Sequence, residues 1–290
     1  MTLMELIERS SARLEEAGVS FGHGTTNAFD EAVWLTLWRL GLPLDNLDGV
    51  AAREVDATRM AAVEALVTQR IASRQPAAYL TGEAWLQGVP FHVDERTIVP
   101  RSLIAEVLCE GVIEPWLSSA EAGAPQVLDL CTGNGSLAVL AALCWPEAHV
   151  DASDLCADAL TVAQRNVLRH GLQDRVTLRE GDGLAAARGP YDLILCNPPY
   201  VNRASMQALP AEYRAEPALA LDGGADGMDF IRPLLAQAHG HLRRGGLLVL
   251  EIGHERAHFE TAFPTLSPMW LSTSAGDDQV LMLTREDLIL

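Results

Sequence analysis

Tyr191-Asp192-Leu193-Ile194-Leu195-Cys196-Asn197-Pro198-Pro199-Tyr200 begins as a short apolar run and ends at two consecutive prolines. Gly189-Pro190 precedes it, so the run is bounded on both sides and reads as a buried strand that stops abruptly at its carboxyl end. Asn197-Pro198-Pro199-Tyr200 is then a strand-end loop, and in an open α/β sheet that edge is where ligands bind. Two prolines hold φ at about −65° and remove two backbone donors, which leaves a stiff loop whose carbonyls face outward as acceptors. Asn197 adds a side-chain acceptor and donor, and Tyr200 adds a flat apolar face. A planar carboxamide or a nucleobase edge matches that set.

Outward from this strand the chain alternates strand and helix. Val127-Leu128-Asp129-Leu130 reads as a strand, Thr132-Gly133-Asn134-Gly135 as a turn, and Ser136 to Leu143 as an Ala/Leu helix packed on a sheet. A Gly-x-Gly turn opening a helix lets backbone amides approach a ligand, with the helix N-terminus behind them. Asp154 closes the next strand about 20 residues beyond Gly135, the spacing at which an acid takes a ribose hydroxyl pair in dinucleotide folds. The third glycine of the dinucleotide fingerprint is replaced by Ala138. That opposes a pyrophosphate and suits a nucleoside whose tail is an amino acid. Asp129, just before the turn, either orders the loop or meets a ligand's ammonium group.

A helix over 157–170 and a strand over 175–180 lead to Gly181-Asp182-Gly183, where Asp182 is placed to accept from an adenine amino group. Beyond Tyr200 comes a long excursion, Val201 to Asp226, of the kind that forms a lid or substrate platform. A helix over 228–242, a strand over 247–252 and two last strands, 270–273 and 279–283, continue the alternation. The Gly276-Asp277-Asp278 turn between those two predicts an antiparallel edge hairpin on a mostly parallel sheet, an α/β architecture of Rossmann type.

The amino-terminal part has a different texture. Residues 3–17, 28–40 and 57–73 place apolar side chains at helical spacing, with Gly41 and Pro43 ending the second helix and Pro76 the third. Trp85-Leu86-Gln87-Gly88-Val89-Pro90-Phe91-His92-Val93 reads as two short strands about a Gly88 turn, and Ser102 caps a following helix. The expected division is a helical bundle over 1–76, a β-hairpin linker over 77–101 and the α/β domain over 102–290. The bundle reads either as a packing cap or as a macromolecular docking module. Residues 118–125 are small, polar and loop-like.

Composition narrows the class. The chain has 290 residues, 49% hydrophobic and 21% charged, with a net charge of −18, and all 21 of its cationic side chains are arginine. So acidic a surface repels phosphate backbones and attracts basic partners; nucleic-acid binding then requires a local basic patch. No stretch approaches the roughly 20 apolar residues of a membrane span, and the N-terminus lacks a basic region followed by a long apolar one, so a cytoplasmic protein is expected. Five cysteines without a Cys-x-x-Cys pair read as buried, reduced thiols. The eight histidines show no metal-ligand spacing, and no metal is expected.

Taken in this order, the motifs resemble the class I S-adenosylmethionine-dependent methyltransferases, with a seven-stranded sheet, and Asn197 to Tyr200 looks like the motif of those that methylate planar nitrogens. Over about residues 76–290 the chain is similar to the HemK/Prm family of protein-glutamine N(5)-methyltransferases. Gly82 to Arg96, Val99-Pro100-Arg101-Ser102, Leu130-Cys131-Thr132-Gly133, Leu209 to Pro217 and Leu281 to Glu286 resemble the branch acting on large-subunit ribosomal protein three. The release-factor branch would carry Ile-Pro-Arg-Pro and Leu-Gly-Thr-Gly at the corresponding places. Asn134 stands where the family has a small or hydroxyl residue, and Gly183 where the release-factor branch has an aromatic adenine platform.

The resemblance implies that Cys131, Thr132, Gly133, Asn134, Gly135 and Ser136 line S-adenosylmethionine, with Asp129 and Gly183 beside it. Asp154 would hold the ribose hydroxyls and Asp182 the adenine. Asn197 and the Pro198 carbonyl would bind the glutamine amide, with Pro199 and Tyr200 packed about its plane, and S-adenosylhomocysteine would be the product. A basic ribosomal protein is the implied partner, met before or during ribosome assembly, with no membrane and no direct nucleic-acid contact. The alternatives are glutamine methylation of a release factor, exocyclic-amine methylation of nucleic acid, and a catalytically silent nucleoside-binding or ribosome-assembly module.

Overall fold

The computed structural model describes residues 1–117 and 123–289, so most of the loop expected at 118–125 lies outside the described residues. Three long helices open the chain, each started by a side-chain cap. Thr2 and Glu5 form a reciprocal capping box before Leu3–Glu16, Asn27 accepts from the Asp30 N–H before Ala28–Leu40, and Asp56 accepts from Arg59 N–H before Ala57–Ser73. Their facing stripes bury Leu6, Ile7, Leu14, Ala32, Leu37, Val63 and Val67 in one cluster. Pro76 does not end the third helix. Arg74 does, in the left-handed region at φ 58°, while Pro76 opens a further short helix, Ala77–Thr81, where a missing N–H costs nothing. A single turn at Leu47–Val50 was too short to leave a periodic signature.

Strands β1 (Glu83–Leu86) and β2 (Val89–His92) pair about Gln87 and Gly88, both at positive φ. The main sheet contains β3 (Gln126–Leu130), β4 (His149–Asp154), β5 (Val176–Glu180), β6 (Tyr191–Cys196), β7 (Leu242–Glu251), β8 (Met269–Thr273) and β9 (Gly276–Thr284). Their order is β5-β4-β3-β6-β7-β9-β8, parallel from β5 through β7, with β9 antiparallel to both neighbours. The seven-stranded, mostly parallel α/β sheet expected of a Rossmann-like methyltransferase is therefore present. All six residues of β6 are buried, and apolar clusters cover both sheet faces.

Two boundaries differ from the sequence reading. Thr273 pairs with Gly276, so the last hairpin turns at Ser274-Ala275, and Asp277 and Asp278 lie in β9 on its exposed rim. The acid pair imitated a turn because that strand end faces solvent. β7 begins at Leu242, not 247: Tyr191 pairs with Leu242 but Leu193 with Leu247, so Arg243-Arg244-Gly245-Gly246 bulges from the ladder. The helix before it is correspondingly short, Ile231–Ala238. Among the cysteines, all free, Cys196 alone is fully buried, while Cys109 in the last turn of Ile104–Cys109 is exposed.

Candidate active site

Leu130 at the end of β3 stands in register with Cys196 at the end of β6, where the strand order reverses direction. The loop leaving β3 turns sharply, with Cys131, Gly133 and Gly135 at φ 61°, 55° and 81°. Gly135 is needed for space as well as angle: a Cβ there would lie 3.1 Å from that of Ala163, so its absence lets the loop press onto helix Ala157–Arg169. Asp129 holds this loop from behind. Its Oδ2 accepts from the Ala138 N–H at 2.9 Å and from the Thr132 hydroxyl, while Oδ1 is buried without a partner among the described residues. Burial pushes the Asp129 carboxyl up to about 7, against the opposing pull of those two donors.

Asp154 ties the second strand end to the same loop. Its Oδ2 accepts from Gly133 N–H and its Oδ1 from Cys156 N–H, both at 2.9 Å. Burial raises the Asp154 carboxyl above its ordinary range, and these backbone donors oppose the rise. Asn166, fully buried, completes the frame: it accepts from His92 N–H at 2.7 Å and donates to the carbonyls of His92 and Asn134 at 2.9 and 2.8 Å. The β1–β2 hairpin is thereby fastened to the glycine loop. Nothing in the sequence separated this Asn from other polar residues of an amphipathic helix.

Cys131, Gly133, Asp154, Asp182, Gly183, Asn197 and Pro199 line one cleft. Asp129, Thr132, Asn134, Gly135 and Ser136 do not; the four polar ones are buried behind the loop and shape it. Leu155, exposed and directly after Asp154, and Phe230 supply apolar wall to the cleft, and the sequence reading assigned neither. Phe230 comes from a distant segment, and only the fold brings it to Gly183.

A second cavity of about 330 Å³ opens on the other side of the tetrapeptide, lined by Arg101, Pro198, Tyr200, Tyr213, Glu251 and Gly253 among others. Asn197 borders both spaces. Neither its side-chain amide nor the Pro198 carbonyl has a hydrogen-bond partner among the described residues. Tyr200 is held firmly instead. Its hydroxyl donates to Glu251 Oε1 at 3.2 Å, and Glu251 Oε2 accepts from Ser102 Oγ at 2.6 Å and Leu103 N–H at 2.9 Å. Burial raises the Glu251 carboxyl, and burial together with the Glu251 charge raises the Tyr200 phenol. Glycines cradle the ring and backbone: a Cβ on Gly253 would sit 2.5 Å from Tyr200 Cε2, and one on Gly227 2.3 Å from its carbonyl oxygen.

The excursion after Tyr200 is pinched at its neck, where Val201 N–H donates to Leu221 O and Gly223 N–H to Val201 O, each at 2.9 Å. Its carboxylates anchor it to the amino-terminal part. Glu216 receives both Arg101 guanidinium nitrogens, at 2.6 and 2.7 Å, and the Val99 N–H at 2.8 Å, with His23 Nε2 3.5 Å away. Burial acts to raise the Glu216 carboxyl, but His23 and Arg101 outweigh it and hold it at about 2. Glu212 faces Arg70 and Arg74 at 3.5 and 3.3 Å, and buried Arg70 also pairs with Glu31 at 2.9 Å. Two glutamates four apart between Pro210 and Pro217 were the visible signal for this anchor, although only the fold reveals its partners.

The family model for the methyltransferase small domain matches residues 116–213. A ribosomal protein uL3 glutamine methyltransferase of Bordetella pertussis is 57% identical, over 99% of this chain and 96% of that protein. The chain belongs to the ribosomal protein uL3 glutamine methyltransferase family. Proteins of the same name from Burkholderia pseudomallei and Neisseria gonorrhoeae are 48% and 46% identical, again over 99% of this chain and 95% and 96% of theirs. The likeness read from residues 76–290 thus extends through the amino-terminal helices. The hMettl16 catalytic domain, solved with the MAT2A 3′UTR hairpin 6, shares the fold at TM-score 0.53 and 12% identity, over 79% of this chain and 81% of that one. Among the described residues no helix is long and apolar enough to cross a membrane, and no three His, Cys, Asp or Glu side chains are grouped to hold a metal ion.

Proposed function

We propose that this enzyme transfers the methyl group of S-adenosylmethionine to the side-chain amide nitrogen of a glutamine in ribosomal protein uL3, working in the cytoplasm, where that protein would be met. The observation that carries the reading is Asn197: a strand-end amide on the partition between two cavities, with the Pro198 carbonyl next to it, both unpartnered among the described residues.

The residues of the first cleft fit the donor. Asp154 offers a carboxylate to a ribose diol, Leu155 and Phe230 offer apolar surface to a purine, and Asp182 offers an acceptor to its amino group. Asp129, buried behind the loop, orders it through Thr132 and Ala138. When bound there, S-adenosylmethionine supplies an electrophilic methyl on a sulfonium.

The protein's own contribution is orientation. An amide nitrogen is a poor nucleophile because its lone pair is delocalised into the carbonyl. Accepting its two N–H groups on Asn197 Oδ1 and the Pro198 carbonyl fixes the direction of that nitrogen and stabilises positive charge developing on it. The prolines keep those acceptors from turning, and Tyr200, fixed by Glu251 and the glycine cradle, lies against the amide plane. No general base is needed before transfer, since the extra proton becomes acidic once the nitrogen is alkylated and leaves to water. To the excursion and to residues 1–76, which anchor it through Arg70 and Arg74, we assign the holding of the substrate protein.

The test is mass spectrometry of purified uL3 incubated with the enzyme and S-adenosylmethionine. A gain of one methyl group on one glutamine is expected, abolished by Asn197→Ala. Methylation at an arginine or lysine, or none on uL3, would overturn the reading.

A further inference from the structure

We infer that a cleft at the opposite, amino-terminal edge of the sheet binds phosphate groups of an RNA chain. The cleft is about 790 Å³, within the roughly 300–1,000 Å³ range of small-ligand sites. Arg188, Arg243, Arg244 and Arg285 line it with Asp192 as the single carboxylate among the described lining residues, while Glu286, outside the lining, accepts from the Gly245 N–H of the bulge at 3.2 Å. In a chain where acids outnumber arginines 39 to 21, this local reversal of sign is the basic patch that nucleic-acid binding requires.

The reversal is built into the fold. The β7 bulge throws Arg243 and Arg244 out of the ladder, and Arg285 arrives from the carboxyl end of β9, which runs the other way. Asp192 is already occupied: it accepts from Arg243 Nη1 at 2.7 Å and Gln126 N–H at 2.8 Å. Arg285 spends only Nε, on the His239 carbonyl at 3.1 Å. The side chains of Arg188 and Arg244 are exposed and have no hydrogen bond or ion pair among the described residues. Gly189 and Gly240 also line the cleft, and with nothing beyond Gly240, backbone there is open to a ligand's close approach. Guanidinium forks match phosphate oxygens two at a time, and a polyanion needs no apolar anchor, of which this cleft offers few. An acidic peptide would need such anchors to bind specifically.

The site lies far from the methyl-transfer cleft and its test reads binding alone, so it stands or falls separately from the proposed reaction. A short fluorescein-labelled single-stranded RNA is titrated with the full chain by anisotropy over a range of salt concentrations. Wild type is expected to bind, and the double variant Arg188→Glu/Arg244→Glu to bind at least tenfold more weakly. The log–log salt slope should fall by roughly 0.7 for each phosphate contact removed. Arg39→Glu/Arg53→Glu, two exposed arginines of the amino-terminal part, changes net charge equally and should leave RNA binding within twofold. No RNA binding by wild type, an equal loss in both double variants, competition by polyglutamate as effective as by unlabelled RNA, or retention of inorganic phosphate without RNA would each overturn the inference.

Discussion

Glu216 and Arg101 face each other through two parallel contacts, Nη1 to Oε1 at 2.6 Å and Nη2 to Oε2 at 2.7 Å, with the Glu216 side chain wholly buried. The pair joins the excursion behind the Asn-Pro-Pro-Tyr loop to the segment leading out of the β1–β2 hairpin. A carboxylate held at about 2 when its ordinary value is 4.5 favours the folded state while it is ionised. Its contribution is complete above about pH 5 and is lost as pH falls through 4.5 towards 2. Glu216→Gln should therefore cost on the order of 3 kcal/mol near neutral pH, and the melting curves of wild type and variant should converge only as pH approaches about 2. Parallel melting temperatures across that range would contradict the assignment.

Asn197→Ala removes one of the two acceptors proposed for the substrate amide while leaving the strand and prolines intact. We expect kcat to fall by about 100- to 1,000-fold, with the dissociation constant for S-adenosylmethionine changed less than threefold. Steady-state kinetics and calorimetric titration separate the two quantities, and equal losses in both would mean that Asn197 serves the donor instead.

Asp154→Ala should behave in the reverse sense. It removes the carboxylate proposed for the ribose and frees the Gly133 N–H that shapes the loop. Weakening of donor binding by about 10- to 100-fold is expected, as charged hydrogen bonds contribute roughly 1.5–3 kcal/mol. At saturating donor, turnover should recover most of its wild-type value; a persistent collapse in kcat would place Asp154 in the chemical step.

Gly253→Ala tests the cradle. The added methyl would overlap the Tyr200 ring, at a residue with φ 53°, so ring or backbone must move. Turnover should drop at least tenfold with donor affinity preserved, and the fluorescence-detected melting temperature should fall by a few degrees. Unaltered kinetics would show that Tyr200 placement is unimportant.

Much of this was legible in the chain itself, for identifiable reasons. β6 and its terminal loop were readable because a buried strand and two prolines each leave a strong local mark. Helix Ala57–Ser73 was readable because its apolar spacing is long. Partnerships across the fold were not. Glu251, Asn166 and Glu216 look like ordinary polar residues until Tyr200, His92 and Arg101 are brought to them from 51, 74 and 115 residues away. The β7 bulge was missed because Gly245-Gly246 mimics the start of a strand, when it interrupts one already begun.

The anchoring of Glu212 and Glu216 in the amino-terminal part bears on how such a protein can be dissected. Trimming the chain to a minimal catalytic fragment that starts after Arg101 would strand both carboxylates without their counter-ions, in a region built to exclude water. Modular shuffling of recognition and chemistry, familiar where two halves meet at a loose joint, is therefore closed to this architecture unless those acids are exchanged together with the arginines that neutralise them.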